Sequence, residues 1–207
     1  MSGVDVSIVV PFFNAAPTLG HAVDSAFMQV FPGTFELILV DDHSTDNSRQ
    51  LALRCLSGRP NTTSLLSHQK NRGLAAAKNT GVWSANGGCV IFLDADDRIE
   101  PNLLAVLYSA LQQRPDVTYA WPTYHLLTKS GDPIRQQSER NGSGVLFRWS
   151  AFHRVGLFNE ELRLGGDTEM YARMDVAGLA GRHVPEAIYC YYQTPNSLTR
   201  RGSPKPS

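Results

Sequence analysis

The sequence predicts an α/β fold: a mostly parallel sheet flanked by helices on both faces. Three observations predict it. Apolar runs of strand length alternate with helical patterns from Val6 to Trp121. The early strand runs are largely apolar rather than alternating, as in sheets covered on both sides. A chain of 207 residues with 42% apolar content can bury one sizeable core as a single domain.

The elements follow in order. Val6 to Val10 is a β-branched strand ending at Pro11. Asn14 is placed to cap a helix with Pro17 in its first turn and Leu19, Val23, Ala26 and Phe27 on its inner stripe. Phe35 to Val40 is the next strand and runs into Asp41-Asp42. Ser44 and Thr45 offer caps for a helix whose Leu51 and Cys55 point inward. Thr63 to Leu66 reads as a short strand, Gly73 to Ala85 as an alanine-rich helix and Val90 to Leu93 as a strand. Pro101 opens a helix through Leu104, Leu107 and Leu111, which Pro115 ends. Val117 to Trp121 is a further strand. Ser130 to Gly144 has no apolar period and reads as a long loop. Trp149 to Val155 and Asp167 to Ala177 are helices, and Ala187 to Tyr192 is the last strand.

Composition excludes several functions. A net charge of zero gives no general attraction to nucleic acid. Cys55, Cys89 and Cys190 are far apart and in no C-x-x-C, so they read as reduced thiols rather than a disulfide framework or zinc site. No run approaches the roughly 18 apolar residues of a membrane span. The chain enters its first strand at once, so no signal peptide is expected. The expected location is cytoplasmic, with peripheral contact at the inner membrane face allowed. Residues 201–207 are expected to be a flexible tail.

The most informative stretch is Phe92-Leu93-Asp94-Ala95-Asp96-Asp97, an apolar run that stops at three carboxylates. Such a cluster repels itself, and a divalent cation is the usual offset at a cleft rim. A solvated turn whose Asp96 or Asp97 caps the next helix is the alternative. In parallel sheets, ligands bind beyond the carboxyl ends of the strands. Pro11 to Asn14, Asp41-Asp42 and Asp94 to Asp97 all follow strands, so they should meet on one edge. No G-x-x-x-x-G-K-[ST] and no G-x-G-x-x-G after a strand is present. A phosphate-bearing ligand would then rely on a hard ion, Mg2+ or Mn2+, for charge neutralisation. No His/Cys cluster argues for zinc, and His43 and His68 read as surface or packing residues.

Val9-Val10-Pro11-Phe12-Phe13-Asn14, Val40 through Asp46 and Asn71 through Asn79 resemble successive signatures of family 2 glycosyltransferases. Phe92 to Asp97 resembles that family's D-x-D, Gly165-Gly166-Asp167 with Glu169 and Arg173 its late acidic motif, and Tyr191 to Ser197 its closing segment. The resemblance runs from about Val6 to Arg200. It implies a GT-A fold in one domain over residues 1–200, with a nucleotide-sugar half to about residue 100 and an acceptor half after it. It implies a metal-dependent inverting enzyme moving one sugar from a nucleotide sugar, UDP-linked in the first instance, to a glycan or lipid-linked acceptor hydroxyl.

Carried over to this sequence, Pro11 and Phe13 would wall the base pocket, and Asp42 would accept from the uracil ring N–H. Asn71 and Lys78 would lie near the base and phosphates. Asp94, with its neighbour Ala95, would contact the donor at the ribose, and Asp94 and Asp96 would hold the metal. Asp167 would be the base, and Asp97 the helix cap. Lys78 stands where arginine is usual, Gly166 where glutamate is common, leaving Glu169 as a substitute, and Gln193 where arginine is frequent. The absence of Q-x-x-R-W and of a C-terminal extension points to single-sugar transfer. Trp121, Tyr124, Phe147 and Trp149 could stack on a sugar or pack the core. The alternatives are a nucleotidyltransferase, opposed by the lack of a cation between Pro11 and Thr18, and a non-catalytic nucleotide- or glycan-binding relative.

Overall fold

The computed structural model describes residues 3–59 and 63–193. Four parallel strands, β1 (Val6–Phe12), β2 (Phe35–Asp41), β3 (Thr63–Ser67) and β4 (Cys89–Phe92), form the first half of one sheet. Helices α1 (Leu19–Phe27), α2 (Ser48–Leu56) and α3 (Leu74–Ser84) connect them in turn. The second half contains β5 (Arg98–Ile99), α4 (Leu103–Gln113), β6 (Val117–Leu127), β7 (Pro133–Gln137), β8 (Leu146–Arg148), α5 (Trp149–Val155), α6 (Gly166–Val176) and β9 (Ala180–Tyr192). The strand order is β3-β2-β1-β4-β8-β6-β9-β5, with β7 on the side of β6. Strand β8 is antiparallel to β4 and β6 and so joins the two halves.

The alternation of side chains along β1 divides the core. Val6, Ile8 and Val10 pack with Leu19, Val23 and Leu104 on one face. Val9 faces the other layer with Ala77, Phe92, Phe152, Phe158 and Met170. Gly81 lets α3 lie close on β1, since a Cβ there would sit 2.2 Å from Val9 Cγ1. That approach buries Lys78, one turn earlier, at 2% exposure.

The architecture follows the expectation of an α/β sheet with helices on both faces, but its second half is mixed rather than parallel. Strand β1 runs through Pro11 to Phe12 rather than ending at Pro11. Pairing with β4 stops at Val9–Phe92, so the missing Pro11 N–H leaves no ladder bond unmade on that side. Asn14 does not cap α1, which starts at Leu19. It turns back with φ +50°, and its Oδ1 accepts from the Thr45 and Asp46 amides. Ser44 and Thr45 likewise precede α2 without capping it; Ser44 Oγ accepts from Asn14 N.

Strand β6 extends six residues beyond Trp121, and β9 starts at Ala180, seven before Ala187, because the two strands pair in parallel around a bulge at Pro122–Thr123. The polar stretch 130–144 contains β7, an edge strand exposed along most of its length, which therefore lacks an apolar alternation to read. The closing segment beyond Gln193 and the tail 201–207 lie outside the described residues.

Candidate active site

Asp42 follows β2, and its N–H donates to Phe12 O at 2.9 Å, tying the ends of β1 and β2 together. Its carboxylate is buried and already engaged. Oδ1 accepts from Arg72 N at 2.8 Å and His68 Nδ1 at 2.6 Å, and Oδ2 accepts from Gly73 N at 2.7 Å. His68 Nε2 lies 2.8 Å from Thr80 Oγ1 on α3. A carboxylate offers about four acceptor positions, so one is left for a ligand N–H. Asn71 Nδ2 donates to Asp42 O at 3.2 Å and holds the same loop. Phe13 projects beside this edge, 47% exposed, whereas Pro11 is buried within β1.

The carboxylates after β4 separate into different environments. Asp94 and Asp96 are partly exposed; Asp97 is buried. Burial raises the Asp94 carboxyl above its ordinary value, opposed by the charge of Lys78 and by a hydrogen bond from Ser143, while Asp167 pushes it further up. Burial and then the charge of Asp94 raise Asp96 to about 6. Asp97 does not cap a helix. Its Oδ2 accepts from Tyr189 O–H at 2.8 Å and its Oδ1 from Tyr192 N at 2.8 Å, which fastens β9 to the cluster. Tyr189 Oη also accepts from Asp94 N at 3.1 Å. Among the described residues no group of three His, Cys, Asp or Glu side chains forms a closed cage. The donor set of Asp94 and Asp96 still fits a hard divalent ion. Two oxygen ligands that disfavour each other's ionisation, with open positions left for phosphate and water oxygens, are suited to Mg2+ or Mn2+.

A further acid comes from the second half of the chain. Asp167 lies in the first turn of α6. Its Oδ1 accepts from Lys78 Nζ at 2.8 Å, and the two side chains are 34% and 2% exposed. Lys78 Nζ also donates to Gly142 O at 3.3 Å and lies 5.3 and 5.1 Å from the ring centroids of Phe92 and Phe158. Gly142 packs against the carboxyl group: a Cβ there would sit 1.8 Å from Asp167 Oδ2. The structure thus puts Lys78 on Asp167, not on the loop that carries Asn71. Glu169, the expected substitute for the acid missing at Gly166, pairs with Arg173, which donates to both its oxygens at 2.7 and 2.9 Å. Tyr124 and Phe147 are core residues, whereas Trp121 and Trp149 are half-buried.

The structure brings Asp42, Asn71, Asp94, Ala95, Asp96, Lys78 and Asp167 to one side of the sheet. It also reveals partners that the sequence reading missed. His68 and Gly142 carry no motif, and Ser143 sits in the stretch taken for a loop. The tie from Arg72 Nη2 to Glu160 Oε2 at 2.9 Å, with Asn79 Nδ2 also donating to Glu160 at 3.0 Å, spans the two halves. Only the glycines of Asn141-Gly142-Ser143-Gly144 hint at a close approach.

Acids at the carboxyl edge of a parallel half-sheet, joined by another acid from the mixed half, define an α/β protein with an acidic ligand edge. The chain belongs to glycosyl transferase family 2, whose family model matches residues 7–173. It is 34% identical over 221 residues to YibD of Escherichia coli K12, an uncharacterized glycosyltransferase, covering 94% of this chain and 63% of YibD. It is 29% identical to the succinoglycan biosynthesis protein ExoU of Rhizobium meliloti, covering 94% of this chain and 64% of ExoU. The chain thus spans about three fifths of the length of these relatives. Staphylococcus aureus TarS 1-349, solved with UDP-GlcNAc, superposes with a TM-score of 0.82 at 18% identity, over 97% of this chain and 62% of TarS. A mannosyltransferase from Pyrobaculum calidifontis, solved with GDP-Man and Mn2+, gives 0.78 at 20% identity, over 95% of this chain and 59% of its own. These likenesses establish the GT-A fold.

Proposed function

We propose that this chain is an inverting, divalent-metal-dependent glycosyltransferase that moves one sugar from a nucleotide sugar to an acceptor hydroxyl. One observation carries the reading: the Asp94–Asp96 pair and Asp167 come from separate elements yet act on one another electrostatically, and Asp42 follows β2 at the same carboxyl edge of the parallel strands. UDP-sugars are the first donors to test, and TarS bound to UDP-GlcNAc supports that order. Glycan or lipid-linked acceptors fit the succinoglycan role named for ExoU. Residues up to about 100 serve as the donor half and those after it as the acceptor half.

In this reading Phe13 and Pro11 flank the base, and the free acceptor position of Asp42 takes its ring N–H. Asn71 keeps that loop in place, and Asp94 and Ala95 border the ribose. Asp94 and Asp96 would hold Mn2+ or Mg2+, which offsets the charge of the departing nucleotide diphosphate. Asp167 receives the proton of the acceptor hydroxyl while that oxygen bonds to the anomeric carbon. A single displacement of this kind inverts the anomeric centre.

The test is a donor screen for turnover of UDP- and GDP-sugars, paired with calorimetry of UDP with and without Mn2+. Metal-dependent UDP binding and turnover are expected. Asp167→Asn should keep UDP affinity and remove transfer. UDP binding that ignores Mn2+, or near-normal transfer by Asp167→Asn, would count against the assignment.

A further inference from the structure

We infer that Lys78 is a positioning residue for the base, seating Asp167 so that one carboxylate oxygen faces the acceptor. The inference rests on the glycosyltransferase reading and adds a role for a side chain that the motif alone would assign to the donor phosphates.

Three observations carry it. Lys78 is almost wholly buried, and a buried ammonium requires a carboxylate partner. It has Asp167 Oδ1 at 2.8 Å, and it also lowers the neighbouring Asp94 through its charge. The slot around the pair leaves little room to move. Gly142 O accepts from Nζ, the Phe92 and Phe158 rings border the ammonium, and Gly142 has no space for a Cβ beside Asp167 Oδ2. The carboxylate is therefore oriented by an ammonium on Oδ1 and by backbone beside Oδ2.

This arrangement suits the proton transfer. The acceptor O–H proton goes to the exposed side of the Asp167 carboxylate, which keeps 34% exposure, the acceptor oxygen bonds to the anomeric carbon, and the bond from that carbon to the diphosphate oxygen breaks. The bonding electrons leave with the nucleotide diphosphate. Oδ1 stays on Lys78 throughout. A lysine bound to donor phosphates would set donor affinity instead.

The experiment compares Lys78→Met and Lys78→Arg with the wild-type chain. It measures transfer from the UDP-sugar turned over in the donor screen and UDP affinity by calorimetry with Mn2+. Lys78→Met should lower kcat by about 30-fold or more while the UDP Kd stays within about threefold. Lys78→Arg keeps the charge and should retain about a tenth of the rate or more. Adding Lys78→Met to Asp167→Asn should cost nothing further, because the two act as one unit.

A UDP Kd raised about tenfold with kcat nearly unchanged would make Lys78 a donor ligand and overturn the inference. If Lys78→Met does not fold, the same kcat-against-Kd split in Lys78→Arg decides. A wild-type chain that turns over no donor sinks the parent reading and this one with it. Transfer that survives in Lys78→Met sinks this inference alone.

Discussion

Replacing Asp96 with asparagine should stabilise the metal-free protein at neutral pH while removing its response to metal. Burial and the adjacent Asp94 raise the Asp96 carboxyl from 3.8 to about 6. A raised folded-state pKa favours the folded form below the unfolded value, and that advantage is lost as pH climbs through the folded value. The window is therefore about pH 4 to 6. A shift of about two units corresponds to about 3 kcal/mol at full effect. Asp96 keeps some solvent contact, so about 1–3 kcal/mol is the working range.

Asparagine stays neutral and avoids this cost. At pH 7.5 in EDTA, thermal melts should place Asp96→Asn roughly 2–10 °C above wild type, and the gap should close near pH 4. Adding Mn2+ and UDP should raise the wild-type Tm by linkage and leave the variant unmoved. If the variant melts below wild type at pH 7.5 without metal, the raised carboxyl is not an electrostatic cost and the reasoning fails. An equal Mn2+-dependent shift in both proteins would remove Asp96 from the metal site.

Three further outcomes are expected. Gly142→Ala puts a Cβ 1.8 Å from Asp167 Oδ2, so transfer should fall by about 100-fold with UDP affinity nearly unchanged; wild-type kinetics would show that the slot yields easily. Asp97→Ala strands Tyr189 O–H and Tyr192 N–H and should cost about 2–4 kcal/mol in urea unfolding; a change below about 0.5 kcal/mol would contradict the anchoring role. Burial pushes the Cys89 thiol up to about 11 from 9.0, so it should contribute a drop of about 2–3 kcal/mol in stability between pH 9 and 11, and Cys89→Ala should reduce the alkaline slope by that amount; an unchanged slope would contradict the burial argument.

The strands of the parallel half were legible because a doubly covered strand is apolar along most of its length. Val6 to Val10, Phe35 to Val40 and Val90 to Leu93 show this pattern, and their carboxyl ends predict one ligand edge. Helix α4 was legible through its leucine spacing and flanking prolines. The local pattern failed where pairing is non-local. Strand β7 gains its hydrogen bonds from β6 and exposes polar side chains, so no hydrophobic period marks it. Asn14, Ser44 and Thr45 have the chemistry of helix caps, yet they hydrogen-bond to each other across 30 residues of chain.

By itself, the sequence determined the α/β class and the family and marked the acids at the strand ends, because strand burial and carboxylate clustering are written in residue type and spacing. Only the tertiary structure decided what each charged side chain faces. Lys78 and Asp167 lie 89 residues apart and meet because Gly81 lets α3 press onto β1 while α6 closes over the same face. Asp97 turned from a cap into an anchor because β9 returns to its side of the sheet. Charge pairing depends on distances of a few ångströms that only the packed chain sets, since Coulomb energy and desolvation both change steeply over that range.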